Sequence, residues 1–329
     1  MAHFFKYAHI ILFFLLLGCS SDSEDCTPGP IAHVNQVPVI DGAIYKQSAM
    51  DCRLPKVQSF QFNGFEETEI TAAQGTVFFV QPLSFTDLNG QIIDGEINFE
   101  ILEMYTPGDL IACQLSTNGL NNNQSVEPLL SEGVFHIDIT HQGEPVIITQ
   151  PIRVFIPSEN ASLDLSLFHS PSCPELSCSV LWEAQQTEVI YEPYTDPAGN
   201  TILGYQTFLR NTGWKSIARF NDSQEARGII YNIVPPGYND TNSNVFLYYN
   251  SSSTAIGMFS EYDAENEVFS EKFGEIPNNT PAYVLFVSKP ETEFSFGSKS
   301  ITTQDGKITA TRDVRLGDET DLKTYINNL

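Results

Sequence analysis

The six cysteines of this chain of 329 residues are the residues whose spacing most directly indicates chemistry, namely disulfide formation and lipid attachment. Cys173 and Cys178 enclose a short loop and are the best local candidates for a disulfide. Cys26 and Cys52 flank the N-terminal segment and could pair next, which would leave Cys113 as a buried thiol in a strand. Spacing alone does not fix this connectivity, and a metal interpretation of the short loop lacks a second Cys or His pair.

Cys19 differs from the other cysteines because an apolar run over residues 10–17 ends at Gly18-Cys19. The run is far shorter than the roughly 20 residues that span a bilayer as a helix, and Lys6 precedes it. This pattern resembles a bacterial lipoprotein signal, in which a signal peptidase cuts before the cysteine. We therefore predict a signal peptide over residues 1–18 and a palmitate-type acyl anchor on Cys19 that holds the protein to a membrane.

An acidic segment follows the anchor cysteine, since residues 20–25 read Ser-Ser-Asp-Ser-Glu-Asp. It resembles the export signal of Bacteroidota surface lipoproteins, in which acidic residues after the cysteine direct transfer to the outer leaflet. The same composition gives a flexible, solvated tether, and both interpretations stay open. We expect a tether and lead-in over residues 19–56, and an outer-membrane location exposed at the cell surface, with the periplasmic orientation as the alternative.

The charge of the chain excludes some partners. The formal net charge is −25, so nucleic acid and anionic lipid surfaces would repel the protein. We expect no nucleic-acid partner and no cofactor. An extracytoplasmic compartment is oxidising, which permits disulfides.

Strand periodicity dominates the sequence after residue 56. Phe135, Ile137 and Ile139 alternate with polar residues, as in a strand with one buried face, and Asn-Gly and Asp-Gly turns recur. We predict an all-β protein with two tandem β-sandwich domains. The first domain is predicted over residues 57–157, a linker over 158–178 and the second domain over 179–329. The helical spacing of Leu322, Tyr325 and Ile326 predicts a short C-terminal helix in the second domain.

Several stretches resemble one family. Residues 70–76 (ITAAQGT), 82–90 (PLSFTDLNG) and 95–105 (GEINFEILEMY) are similar to a ZU5-like β-sandwich module of Bacteroidota cell-surface lipoproteins. Residues 212–220 (TGWKSIARF) resemble a second family segment, but this chain has Ile217 and Ala218 at positions where the family has cysteine and an acidic residue. The resemblance implies an interaction module at the cell surface, and it implies no activity because the family is largely uncharacterised.

Two polar constellations are candidates for chemistry. His136 and Asp138 lie two apart on one predicted strand, with His141 just beyond, although an exposed polar face explains the same pattern.

Trp214 is interpreted as an anchor of the hydrophobic core. No Ser elbow, zinc-protease or nucleotide-binding motif is present in the sequence, so we expect no enzymatic activity.

A calcium loop is the second constellation. Asp240, Asn242 and Asn244 match the first three oxygen positions of such a loop, and they are weak candidates for metal ligands. The bend glycine and the closing glutamate are missing, which favours a solvated loop before a strand.

The function predicted from these features is a lipid-anchored binding or scaffolding protein that engages an extracellular protein or glycan. The alternative is a structural accessory subunit of an outer-membrane complex, and a glycan-active enzyme ranks third. A glycan binder should expose aromatic side chains on one sheet face. A concave pocket with converging polar side chains would favour an enzyme instead.

Overall fold

Alternating apolar residues and Asn, Asp or Gly turns build the strands of this protein. The strand Leu130–His141 buries Phe135, Ile137 and Ile139 and then turns back through residues 142–143, both of which have positive φ. A two-residue turn with two positive φ angles matches the twist of a β-hairpin. This turn reverses the chain, and His141 pairs directly with Glu144.

The structure, a computed structural model, describes residues 39–159, 161–162, 164–249 and 254–329. Within them, the helices are α1 (Gly42–Arg53), α2 (Pro107–Ala112), α3 (Glu319–Asn327) and a 3-10 turn at Leu54–Lys56. The first strands are β1 (Gln58–Asn63), β2 (Thr68–Thr71), β3 (Val77–Val80), β4 (Phe85–Thr86), β5 (Glu96–Met104), β6 (Asn118–Leu120), β7 (Val126–Pro128), β8 (Leu130–His141), β9 (Glu144–Pro145), β10 (Ile147–Ile148), β11 (Ile152–Pro157), β12 (Ser166–His169) and β13 (Glu183–Ala184). The remaining strands are β14 (Ile190–Thr195), β15 (Thr201–Leu209), β16 (Gly213–Arg219), β17 (Arg227–Gly228), β18 (Ile230–Ile233), β19 (Ser243–Tyr249), β20 (Ala255–Met258), β21 (Glu261–Asp263), β22 (Val268–Ser270), β23 (Ile276–Pro277), β24 (Pro281–Ser288), β25 (Phe294–Thr302), β26 (Lys307–Ala310) and β27 (Arg315–Gly317).

Two antiparallel sheets share a hydrophobic core in a β-sandwich-like arrangement. One sheet has the strand order β1-β5-β8-β16-β12-β13, with β9 paired to β8, and the other has the order β14-β15-β11-β3-β2. Phe99 and Phe135 of the first sheet and Phe78 and Val154 of the second are buried in this core. The rings of Phe78 and Phe99 lie 5.0 Å apart, so large aromatic side chains fill the space between the sheets.

Two further sheets cover a second core in the C-terminal part of the chain. Their strand orders are β20-β19-β24-β25-β27 and β21-β22-β18-β26. Ile230, Val245, Leu247 and Phe286 are among the buried residues between them. The prediction of an all-β fold is confirmed by these sheets.

A third core joins strands from both halves of the chain to the helices. Leu102 of β5 and Trp214 of β16 are buried in the same cluster as Phe246 and Leu285 of β19 and β24. The helices α2 and α3 contribute to this cluster, and α3 is the C-terminal helix expected from the sequence. Side chains far apart in sequence therefore form one continuous interior.

The sheets cross the boundary that was predicted between two domains. β12 lies within the predicted linker 158–178 and pairs with β16. β15 and β16, from the predicted second domain, pair with β11 and β8 of the predicted first domain. Polar, turn-rich segments also connect strands within one sheet, so composition alone placed a linker where the chain continues the same sheets.

Part of the predicted tether is folded. Helix α1 begins after Asp41, whose carboxylate accepts a hydrogen bond from the Ala43 amide and so caps the helix N-terminus. Tyr45 and Cys52 of this helix are buried in the third core. The lead-in predicted over residues 19–56 is therefore helical at its C-terminal end.

The disulfide pairing differs in part from the prediction. Cys173 and Cys178 are bonded, as expected. Cys52 is bonded to Cys113, so the prediction that Cys113 is left over is wrong, and Cys26 lies outside the described residues. Spacing did not reveal this pair, because it forms where the last turn of α1 meets the end of α2.

Candidate functional site

The Cys173–Cys178 loop is held by buried side chains that bond its backbone carbonyls. The Trp214 indole donates to the Glu175 carbonyl at 2.9 Å. The His136 Nε2 lies 2.8 Å from the Pro174 carbonyl oxygen. Trp214 is fully buried, as expected, but His136 is also buried, so the prediction of an exposed polar face is wrong for this residue.

Arg53 completes the support of this loop from the end of helix α1. Its guanidinium donates to the carbonyls of Leu176 and Cys178 at 2.6 and 3.1 Å, and to that of Cys113 at 2.9 Å. Burial lowers the pKa of Arg53 to about 10, still well above neutral pH, so the group remains a charged donor. Arg53 therefore joins the Cys173–Cys178 loop to the region of the Cys52–Cys113 disulfide.

A cleft of about 470 Å³ lies beside the loop. Glu100, Asp138 and Glu175 line it, and the first two are direct partners across β5 and β8. His136 lines it as well, but its Nε2 is bonded to the loop, and burial lowers the pKa of its imidazole. Polar side chains line this cleft, and its histidine has a structural contact with the loop.

The other histidine of this strand lies apart from His136. The His141 Nδ1 is 2.7 Å from the Glu96 carbonyl oxygen, next to the turn that follows β8. The structure therefore does not bring His136, Asp138 and His141 together as one group.

The predicted calcium residues divide between a solvent-exposed and a structural position. Asp240 is exposed, whereas Asn242 is buried. The Asn242 side chain accepts from the Asn239 amide at 2.8 Å and donates to the Gly237 carbonyl at 3.0 Å, so it fastens its own loop. Asn244 belongs to β19. Among the described residues, no group of three or more His, Cys, Asp or Glu side chains could hold a metal ion.

The family-like motifs meet at a buried carboxylate. Glu103 accepts hydrogen bonds from the backbone amides of Gln74 and Thr76 at 2.8 and 3.2 Å. The Tyr105 hydroxyl contacts the Thr76 hydroxyl. These residues therefore fix the turn between β2 and β3 to strand β5, which is a packing role.

The strongest candidate for a binding surface is the side of the β14-β15-β11-β3-β2 sheet that faces away from the Phe78 core, here called the outer sheet face. Register places two rows of side chains across it. Direct cross-strand partners in one row are Phe208, Arg153, Phe79 and Glu69, and in the next row Ile190, Gln206, Phe155 and Val77. Partners of this kind point to the same face of a sheet.

Several side chains of the outer sheet face are accessible. Phe208 and Ile190 are each 40% exposed, and Ile202 is 38% exposed. Tyr194 lies over the inner rings, with its ring centre 5.5 Å from that of Phe79 and 5.1 Å from that of Phe155. Phe79, Phe155 and Val77 are buried beneath this layer, so the accessible aromatic side chains of the face are Phe208 and the half-buried Tyr194.

Polar groups on this face are held in place by one another. The Arg153 guanidinium lies 3.5 Å above the Phe79 ring and donates to the Gln206 side chain at 3.0 Å. The Tyr194 hydroxyl donates to Glu69 at 2.8 Å. Partial burial and the neighbouring Glu69 raise the pKa of Tyr194 to about 12, so its hydroxyl keeps its proton at neutral pH.

Gly204 allows this arrangement because a side chain there would collide with the sheet. A Cβ at this position would lie 2.6 Å from the Phe155 ring and 2.2 Å from the Ile156 carbonyl oxygen. The glycine thus leaves room for the Phe155 ring on the outer sheet face.

Strand β15 carries much of this face, whose role was not predicted from the sequence. The signal that could have found the face is apolar residues in both phases of this strand, since Tyr205 and Leu209 fill the core while Ile202 and Phe208 point away from it. A strand that is apolar on both faces leaves one apolar face exposed to solvent unless a second layer or a ligand covers it.

Comparisons with protein-family models, curated proteins and solved structures found no match to this chain. Within the part of the chain that the structure describes, no helix has the length and apolar character of a membrane span.

Proposed function

We propose that this chain is a lipid-anchored, extracytoplasmic binding protein whose outer sheet face holds a neutral glycan. The observation that carries the proposal is the pairing of accessible apolar and aromatic side chains with fixed polar groups on one sheet face. A sugar ring has an apolar C–H face, which stacks on an aromatic ring, and a rim of hydroxyls, which bond carboxylate, amide and guanidinium groups.

The charge of the protein selects among glycans. With a formal net charge of −25, the chain repels anionic polysaccharides. Because Arg153, Gln206, Glu69 and Tyr194 are already held by their neighbours, little side-chain freedom is lost when a ligand binds. These contacts support a binding role. The lipid anchor, the outer-membrane location and the surface display remain part of the same proposal.

The test is retention of the purified protein in gels that contain neutral polysaccharides. We expect Phe208→Ala and Tyr194→Ala each to weaken retention by up to about tenfold, because each removes a stacking surface. Tyr194→Phe should keep most of the binding, since the ring remains. Ile308→Ala is the matched control, because this side chain is 67% exposed on β26, in another sheet. The proposal fails if no polysaccharide of the panel retards the protein, or if the control weakens retention equally.

A further inference from the structure

Four large apolar side chains are exposed around one set of turns, and the outer sheet face does not include them. Phe65 is 60%, Leu88 66%, Ile92 60% and Ile147 46% exposed. Contiguous exposed apolar area of this kind marks an interaction surface more often than scattered single residues do.

Strand pairing makes these side chains neighbours. Thr86 of β4 has Ile92 as its direct partner on one side and Ile147 on the other, so all three side chains point to one face. Leu88 is two residues beyond Thr86, in the turn closed by the hydrogen bond from the Gly90 amide to the Asp87 carbonyl.

Phe65 belongs to an adjoining turn. The amide of the preceding Gly64 donates to the Gly95 carbonyl at 2.8 Å, and its carbonyl accepts from the Leu83 amide at 2.8 Å. These bonds fasten the Phe65 turn to the segments on either side of β4. We call Phe65, Leu88, Ile92 and Ile147 the turn patch.

The segment of sequence that supplies the turn patch carries charge of one sign. Residues 57–152, which supply all of the patch, contain 13 Asp and Glu and no Lys or Arg. Glu66, Asp94 and Glu144 are exposed beside the patch residues in sequence. Backbone hydrogen bonds, the one from Gln91 above all, lower the pKa of Asp87, so this carboxyl is ionised at neutral pH.

We propose that the turn patch docks a segment of a partner protein in which apolar side chains alternate with Lys or Arg. The apolar side chains would cover Ile92 and Ile147, and the basic residues would lie against Glu66, Asp94 and Glu144. A second copy of this chain would bring the same carboxylates and would be repelled, as would an anionic lipid surface. This interaction is separate from the proposed glycan binding and goes beyond it.

Site-specific photocrosslinking in cells that express the full chain tests the proposal. The photoreactive residue p-benzoylphenylalanine replaces Ile147, and in a control strain it replaces Ile308, which is 67% exposed on β26. We expect a crosslinked protein from position 147 that is absent from position 308. Mass spectrometry of the crosslinked peptide should find Lys or Arg beside apolar residues.

A charge variant makes the test specific. Asp94→Asn combined with Glu144→Gln keeps the apolar patch and should reduce the crosslink from position 147, as should high salt. Circular dichroism and the thermal midpoint of the purified variants confirm that they remain folded. A crosslink to a second copy, to lipid or to glycan, an adduct peptide without basic residues, a crosslink insensitive to the charge variant, or no crosslink above the control would overturn the proposal. Loss of glycan retention would leave these results unchanged, so the two proposals fail independently.

Discussion

Lys215 shows at the scale of one residue how far burial perturbs this protein. Its side chain is 1% exposed, and its ammonium donates to the backbone carbonyls of Thr212 and Trp214 at 2.7 and 3.3 Å. Among the described residues it has no carboxylate partner within ion-pair distance. Burial lowers the pKa of Lys215 to about 7, and burial also lowers those of the nearby His136 and His169.

Lys215→Met should change how stability depends on pH. Lysine has a higher pKa in the unfolded chain, about 10.5, than in the folded protein, about 7, so between these values the unfolded state binds more protons. The free energy of unfolding of the natural protein should therefore rise as pH increases above 7. The rise attributable to Lys215 should reach roughly 2 kcal/mol between pH 7 and 9.

Urea unfolding at pH 7 and pH 9 measures this effect. We expect the Met variant to lose most of the pH-dependent gain and to be the more stable protein at pH 7, because no buried charge must be desolvated. Lys46→Met is the matched control, since Lys46 is exposed on helix α1 and its replacement should keep the gain. An unchanged slope in the Lys215 variant would contradict this account.

The elements of the fold were predictable to different degrees, for physical reasons. Strands such as β8 follow from local alternation, and turns such as Asn89-Gly90 and Asp305-Gly306 follow from a glycine that accepts positive φ. The Cys52–Cys113 bond and the pairing of β12 with β16 depend on contacts between distant segments, which a local pattern does not carry. The apolar outer side of β15 was readable from its local pattern, but the rows of the outer sheet face assemble from four strands, which a local pattern does not show.

The two disulfides should differ in their contribution to stability. The Cys52–Cys113 bond joins residues 61 apart in sequence, and the Cys173–Cys178 bond joins residues 5 apart. In the chain-entropy model the longer loop stabilises by about 4 kcal/mol and the shorter by about 2 kcal/mol, because a longer loop restricts the unfolded chain more.

Denaturant unfolding of two double variants tests this difference. Cys52→Ala with Cys113→Ala should lower the free energy of unfolding more than Cys173→Ala with Cys178→Ala. Each pair is the control for the other, because both remove one disulfide. A larger loss from the short loop would show that its carbonyl contacts with Arg53, His136 and Trp214 depend on the bond more than the model allows.

At the scale of the whole molecule, the acidic charge of the body opposes binding to anionic membranes, whereas the proposed lipid anchor favours attachment to a membrane. The negative charge keeps the protein away from anionic surfaces, so attachment depends on the acyl chains expected on Cys19, which lies outside the described residues. The two proposed binding surfaces are useful together only if a tether holds the folded body clear of the membrane.

Anchoring and surface display make one prediction with two separable parts. Cys19→Ser should abolish incorporation of labelled palmitate, because it removes the cysteine that carries the acyl chains. Replacing Asp22, Glu24 and Asp25 by Asn, Gln and Asn should keep the palmitate label, since the cysteine and its signal are intact. If the acidic segment directs export, protease added to intact cells should cleave the natural protein and spare this triple variant. Cleavage of a known surface protein in the same cells is the control.

A natural protein that resists protease while the control is cut would place the body on the periplasmic side. The glycan and partner surfaces would then have to meet periplasmic ligands.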